Sequence, residues 1–330
     1  MSEASIQGKV LITGASGFIG SRLRDRLLEQ GVDVLALRRP HSPPAKRGRS
    51  VVLSYEDEAG LEGMMKAERP DYVFHVAGVT KGVSYADFQR GNVMPTRNLA
   101  QAAARADADL KRFVLVSSLA AYGPAERTQP VAETHRRRPV EHYGRSKLEA
   151  EEALEAVAGL PITIVRPSGV YGPGDVDYFQ LFLSAHRGWN VYFGNETRRF
   201  SAVYVDDCVR ATLMAAASPG SLGRGYFLTD GVPTTWGEFQ ERVVRHTPRR
   251  VRTLRLPEAL VTLAAHGGEL LTRIDGKARL LNRQKAIMSA QECWTCSGDA
   301  AREDFGFEAE VHQEEGVQRT AAWYREQGWL

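Results

Sequence analysis

The sequence predicts an α/β protein built on a doubly wound parallel sheet, with a smaller C-terminal part interleaved with it. Over the first 165 residues, short apolar, β-branched runs alternate with longer stretches of helical periodicity, the pattern of parallel strands joined by crossover helices. A glycine-rich turn at 13–20 directly follows the first apolar run. After Pro167 the alternation gives way to Gly- and Pro-containing loops, aromatic residues and shorter elements.

Strands are expected at 10–12, 34–37, 51–53, 72–76, 113–116 and 162–165, and helices between them at 21–30, 61–68, 92–105 and 143–157. In the last helix Leu148, Ala150, Ala153, Leu154 and Val157 are read as one apolar face, which suits a dimer contact and packing on the sheet equally. Residues 39–44, rich in proline, read as a surface loop. The run 202–205, followed by Asp206, Asp207, an apolar helix and then 225–228, looks like one more return to the sheet. The expected domains are therefore 1–167 with about 202–230, and about 168–201 with 231–330.

Composition narrows the class. A chain of 330 residues, 43% of them hydrophobic, buries a real core as one large or two ordinary domains. Its 43 Lys+Arg against 40 Asp+Glu leave a net charge of +3, too little field to make nucleic acid or membrane the main partner. Three cysteines cannot build a disulfide framework, which points to a reducing compartment. Cys293 and Cys296 have CxxC spacing, but no second pair or histidine cluster completes a metal site. They are read as unpaired thiols. Without a basic stretch and apolar run at the N-terminus, or any run near the roughly 20 apolar residues of a membrane span, a soluble cytoplasmic protein is expected.

The turn Gly14, Ala15, Ser16, Gly17, Phe18, Ile19, Gly20 lies between the first strand and the first helix, where a dinucleotide's pyrophosphate meets the amides of a helix N-terminus. One glycine permits the tight turn, a second lets the backbone approach phosphate, and a third lets helix and strand pack closely. At the end of the second strand stand Arg38 and Arg39. A guanidinium pairs with a 2′-phosphate, and neither side chain accepts a hydrogen bond from a 2′-hydroxyl, so NADP is favoured over NAD. The alternative is two solvated arginines, with NAD held through backbone contacts.

Tyr143 and Lys147 stand four residues apart at the start of a helix, on one face and about one turn apart. A free phenol has a pKa near ~10, and an adjacent ammonium favours its ionised form. The lysine can also hold a nicotinamide ribose while the tyrosine serves as general acid or base. Ser118 ends the fifth strand, at the sheet edge where such folds bind ligands. Its hydroxyl can donate to a substrate carbonyl oxygen as negative charge develops there.

Together these residues resemble the extended short-chain dehydrogenase/reductase superfamily, also called the NAD-dependent epimerase/dehydratase family. The resemblance runs along nearly the whole chain: Gly14, Gly17 and Gly20; His75 to Gly78; Asn92 with Thr96; Val116 to Ser118 and on to Gly123; Tyr143 with Lys147; Arg166 to Gly174; and Val205 to Asp207. It implies a Rossmann-type sheet, with Ser118, Tyr143 and Lys147 as the catalytic set. Ala77 and Gly78 would lie against the cofactor and Pro167 to Val170 would border the nicotinamide. The helices from Asn92 and Tyr143 would form the four-helix bundle of a homodimer.

Within that family, dehydratases carry an acidic pair after the catalytic hydroxyl. Here Leu119, Ala120 and Ala121 follow Ser118, which argues against dehydration. Sugar-nucleotide epimerases place an arginine just before the Val-Asp-Asp strand to clamp the substrate's diphosphate. Here that position is Phe200, with Arg199 one residue out of register, and the second basic segment, 279–285, lacks the usual pattern. The apolar stretch from Pro257 to Leu271 and the Cys293–Thr295 region resemble the 3β-hydroxysteroid dehydrogenase and dihydroflavonol reductase-like branches. Ordinary core explains the stretch as well as a substrate wall does. His135 to Arg138 read as a solvated loop, with contact to an anionic substrate as the minor alternative.

The expected activity is hydride transfer between NADP or NAD and a small-molecule secondary alcohol or ketone. NAD-dependent sugar-nucleotide epimerization is the first alternative. A non-catalytic dinucleotide-sensing regulator is the second, and it has no chemical need for Ser118, Tyr143 and Lys147 together.

Overall fold

The computed structural model describes residues 6–330 apart from 45, 107–108 and 260–282. The strands are β1 (Lys9–Thr13), β2 (Asp33–Arg38), β3 (Arg49–Val52), β4 (Tyr72–His75), β5 (Arg112–Val116), β6 (Ile162–Pro167), β7 (Gly169–Tyr171), β8 (Trp189–Phe193), β9 (Arg199–Phe200), β10 (Ala202–Tyr204), β11 (Gly225–Leu228), β12 (Thr234–Thr235), β13 (Arg252–Leu256) and β14 (Cys293–Trp294). The helices are α1 (Phe18–Glu29), α2 (Glu58–Glu68), α3 (Tyr85–Phe88), α4 (Met94–Arg105), α5 (His142–Glu155), α6 (Phe179–His186), α7 (Val205–Ala217), α8 (Trp236–Arg245), α9 (Arg283–Ser289), α10 (Asp299–Phe305) and α11 (Gln313–Glu326).

Seven parallel strands form the central sheet in the order β11-β6-β5-β4-β1-β2-β3. Val10, Leu11 and Ile12 of β1 are all fully buried, because helices cover both faces of the sheet. Successive side chains point to opposite faces. Val10, Ile12, Phe74 and Val114 therefore pack with Leu23 and Leu27 of α1 and Val209 and Leu213 of α7. Leu11, Val73, Phe113 and Leu115 pack with Leu61 and Met65 of α2, Leu99 of α4 and Leu154 of α5. The expected doubly wound sheet is the one observed.

Several local features differ from the sequence expectation. Helix α1 starts at Phe18, three residues early, because Gly17 takes extended geometry and caps it without a side chain. The helix expected at 92–105 begins as a π turn at Gln89–Val93, with Met94 N bonding to Gln89 O. Pro95, in the first turn of α4, lacks an N–H and crowds the preceding turn, which the wider π turn accommodates. On α5 the buried stripe is Ser146, Lys147, Ala150, Glu151 and Leu154, while Leu148 and Val157 are only half-buried. Strand β11 does return to the sheet beside β6, but β10 pairs with β7 in a separate two-stranded sheet.

The outer part packs around its own aromatic core, including Tyr171, Phe182, Phe200, Phe239 and Tyr324. Two small sheets, β12-β9-β14 and β13-β8, frame it. Most of the stretch expected to be helical at 257–271, and most of the basic segment 279–285, lie outside the described residues. No helix among the described residues is long and apolar enough to cross a membrane.

Candidate active site

The glycine turn is fixed by backbone contacts. Gly14 has φ +70°, and a Cβ there would stand 2.7 Å from Ala77 N. A Cβ on Gly20 would stand 2.2 Å from Gly14 O. Gly17 differs: its Cβ would meet only Gly14 O, at 3.3 Å, and Gly17 and Ser16 are exposed. Phe18 and Ile19 are half-buried as they enter α1. Buried Arg24 holds the turn from behind, donating to Ala15 O at 2.8 Å. The first turn of α1 has no acidic side chain and no side-chain cap, so its amides are available to an anion. This chemistry fits a dinucleotide's phosphates.

At the tip of β4, buried His75 joins Thr13 and Thr96, with Thr13 Oγ1 at 2.8 Å and Thr96 Oγ1 at 3.1 Å. Thr13 Oγ1 also accepts from Ala77 N at 3.1 Å. Burial, reinforced by the Lys147 charge, pushes the imidazole down to about 3. Ala77 and Gly78 therefore sit in a braced loop, with Gly78 exposed beside Lys147 Nζ. Asn92 supplies a second brace: it accepts from Val79 N at 2.7 Å and donates to Val79 O and to Ser146 Oγ. At the end of β2, Arg38 is half-buried and donates to Ser42 O at 3.1 Å, while Arg39 is exposed.

Ser118 caps the short 119–121 turn, its Oγ accepting from Ala120 N at 3.2 Å. Glu141 caps α5, accepting from Tyr143 N and Gly144 N, both at 2.6 Å. These two caps bring Tyr143 to Ser118. Burial pushes the Tyr143 phenol up to about 12, the Ser118 hydrogen bond pulls it down, and Glu141 and Asp177 push it up again. Lys147 is not among the groups that shift this phenol. Lys147 Nζ instead donates to Val116 O at 2.9 Å, and burial pulls it down to about 8 against the opposing Glu151 charge.

Ser118 and Tyr143 open onto a cleft of about 440 Å³ that Pro167 also lines, together with Ser168. Val170 packs against the sheet core instead. Aromatic rings make the far wall: Trp236 stacks on Phe200 at 4.4 Å and on Tyr178 at 6.0 Å, and Tyr192, Phe193 and Trp294 continue it. Phe200, at the position where a clamping arginine was sought, is buried in this stack. Arg199 lines the cleft and is exposed, whereas Arg198 is engaged by Glu258 at 2.9 Å and Glu292 at 3.5 Å. Lys81 and Asp177 close an ion pair of 3.1 Å between the loop after β4 and the segment after β7.

Residues 10–226 match the NAD dependent epimerase/dehydratase family. The chain belongs to that family. It is similar to a ceramide reductase of Caulobacter vibrioides, 29% identical over 98% of this chain and 96% of the relative. It is also similar to a 4-hydroxy-2-methyl-3-oxo-4-farnesyl-3,4-dihydroquinoline-1-oxide ketoreductase of Stigmatella aurantiaca, 28% identical over 94% of each chain. Among solved structures, MoeE5 in complex with UDP-glucose and NAD matches with a TM-score of 0.78 and 26% identity, over 97% of this chain and 99% of that one. The protein is thus an enzyme of the extended short-chain dehydrogenase/reductase type, and its family is NAD-dependent.

Some site residues carried no sequence signal of their role. Glu151, which no motif singles out, is fully buried in a bidentate pair with Arg166, at 3.0 Å to both Nε and Nη2. Arg137, in the run read as a solvated loop, also reaches Glu151 at 3.2 Å. Ser117 and Ser168 each bury a hydroxyl without a hydrogen-bond partner among the described residues. Tyr178 and Trp236 lie far apart in sequence and meet only through the packing of the outer part. Cys208, Cys293 and Cys296 are buried free thiols.

Proposed function

We propose that the protein transfers hydride reversibly between a nicotinamide dinucleotide and a secondary alcohol or ketone with a largely apolar body. The observation that carries this reading is the cleft: Tyr143 and Ser118 face a wall of stacked aromatic rings, and its most buried arginine, Arg198, is matched by Glu258. Such a wall favours rings and chains over a sugar diphosphate. The two reductase relatives have lipid-like substrates in their names, which supports the same class.

The bound dinucleotide would supply or accept the hydride. Tyr143 holds its proton at neutral pH, since its phenol lies near 12, and gives it to the substrate oxygen during reduction. Ser118 Oγ donates to that same oxygen as charge builds. Lys147 spends one of its three N–H donors on Val116 O and keeps two for the cofactor's ribose. Ser16 and Gly17 would lie along the phosphates, with Ala77, Gly78 and Pro167 beside the rest of the cofactor. Arg39, exposed at the end of β2, and Arg38 would receive the 2′-phosphate of NADP. On this reading residues 1–167 with about 202–230 serve the dinucleotide, and the rest serves the substrate.

Epimerization keeps one argument of its own: the likeness to a structure holding UDP-glucose and NAD, with exposed Arg199 in the cleft. A panel of ketones, sterols and nucleotide sugars, scored by absorbance at the nicotinamide band, separates the two. Oxidation or reduction of apolar substrates, lost in Tyr143→Phe with cofactor binding intact, is the expected result. Interconversion of nucleotide sugars with NAD retained through gel filtration would overturn the proposal.

A further inference from the structure

One surface, which meets the cleft only at Phe193, joins two further features. Strands β8 and β13 run parallel, with Trp189, Val191 and Phe193 in register with Arg252, Leu254 and Leu256, so these six side chains share one face. That face is turned outward. Trp189 is 45% exposed, Phe193 58% and Leu254 42%, whereas Asn190 and Tyr192 on the opposite face of β8 are buried. Large apolar side chains grouped in this way mark a surface that something covers.

Where the two strands begin, the unmatched charge is basic, whereas Glu196 and Glu258 stand at the far end, paired with Arg255 and Arg198. Arg187, Arg249, Arg250 and Arg252 are all exposed where the two strands begin, and Arg252 N donates to Gly188 O at 2.9 Å, which brings the two arginine segments together. None of these four guanidiniums has an ion-pair partner among the described residues. Arg245 and Arg255, in the same run of sequence, are matched by Glu314 and Glu196. The unmatched arginines thus lie next to the exposed tryptophan. A symmetric second copy would set these like charges against each other, which argues against self-association.

We propose that this face docks on an anionic lipid surface. The four guanidiniums would meet headgroup phosphates, while Trp189 and Leu254 enter the boundary between headgroups and acyl chains. Phe193 belongs both to this face and to the rim of the cleft, so the docked protein turns its substrate entrance toward the bilayer. That last consequence rests on the apolar-substrate reading; the docking itself does not. The net charge of +3 conceals the patch because acidic residues elsewhere cancel it.

Sedimentation of the full chain with vesicles tests the proposal. Binding is expected to vesicles containing phosphatidylglycerol, not to phosphatidylcholine alone, and to weaken as salt rises. The double variant Arg249→Ala with Arg250→Ala should bind roughly tenfold or more weakly, and Trp189→Ser with Leu254→Ser should also lose binding. Both should keep the parent's melting temperature and its turnover of a water-soluble ketone, which separates docking from misfolding. Absence of vesicle binding at low salt, unchanged binding in both variants, or retention by duplex RNA or an acidic protein instead of vesicles would overturn it. Because docking is read without turnover, its failure leaves the oxidoreductase reading intact, and a failure of Tyr143→Phe to reduce activity leaves docking intact.

Discussion

Gly144 lies against Ala120: a Cβ on Gly144 would stand 2.2 Å from the Ala120 carbonyl oxygen and 2.9 Å from Glu141 Oε1. The helix that carries Tyr143 is therefore pressed onto the turn that Ser118 caps, with no room for even one methyl group.

Gly144→Ala should force the two elements apart. Overpacking of this kind costs about 1–3 kcal/mol, read as a lower melting temperature. Displacing Tyr143 from Ser118 should cut turnover roughly tenfold or more, while cofactor affinity, which the proposed function places chiefly at the glycine turn, should change little. Wild-type turnover in this variant would show that the close approach does not position the phenol.

The proton affinities give a pH profile. Lys147 is charged below about 8 and neutral above it, while Tyr143 keeps its proton throughout the working range. For ketone reduction, kcat/KM should stay level through neutral pH and fall above about 8, toward tenfold per pH unit. In Lys147→Arg the charge persists to higher pH, so the decline should move upward even if the plateau is lower. A decline at the same pH in both proteins would place the titration on another group.

His75 makes stability depend on acid. In the folded chain it stays neutral down to about 3, against an ordinary value of 6.5, so the unfolded chain binds the extra proton between those limits. Stability must then fall as pH drops through that window, by roughly 3 kcal/mol near pH 4.5. Calorimetry across the window should show a flatter dependence in His75→Gln, whose side chain does not titrate there.

Much of the fold was legible because burial on both faces leaves plain apolar runs: Val10 to Ile12 and Phe113 to Val116 read as strands and are strands. The glycine turn was legible for a different reason, since backbone crowding at Gly14 and Gly20 dictates residue type. Glu151 was not legible. An acid at that helix position looks solvated until Arg166, fifteen residues on, pairs with it under Tyr122. The aromatic wall was hidden in the same way, because Tyr178, Phe200 and Trp236 come from three separate segments. Long-range pairings leave no period along a chain.

Strand β11 pairs with β6 from Gly225↔Ile164 to Leu228↔Pro167, after the chain has left the sheet to build part of the outer layer. A polypeptide ended after Pro167 would bare the β6 rim, and unpaired rims of this kind invite clumping between chains. The seven-stranded sheet therefore cannot be finished until ribosomal synthesis has passed residue 228, which ties its folding to that of the outer layer despite their separate cores.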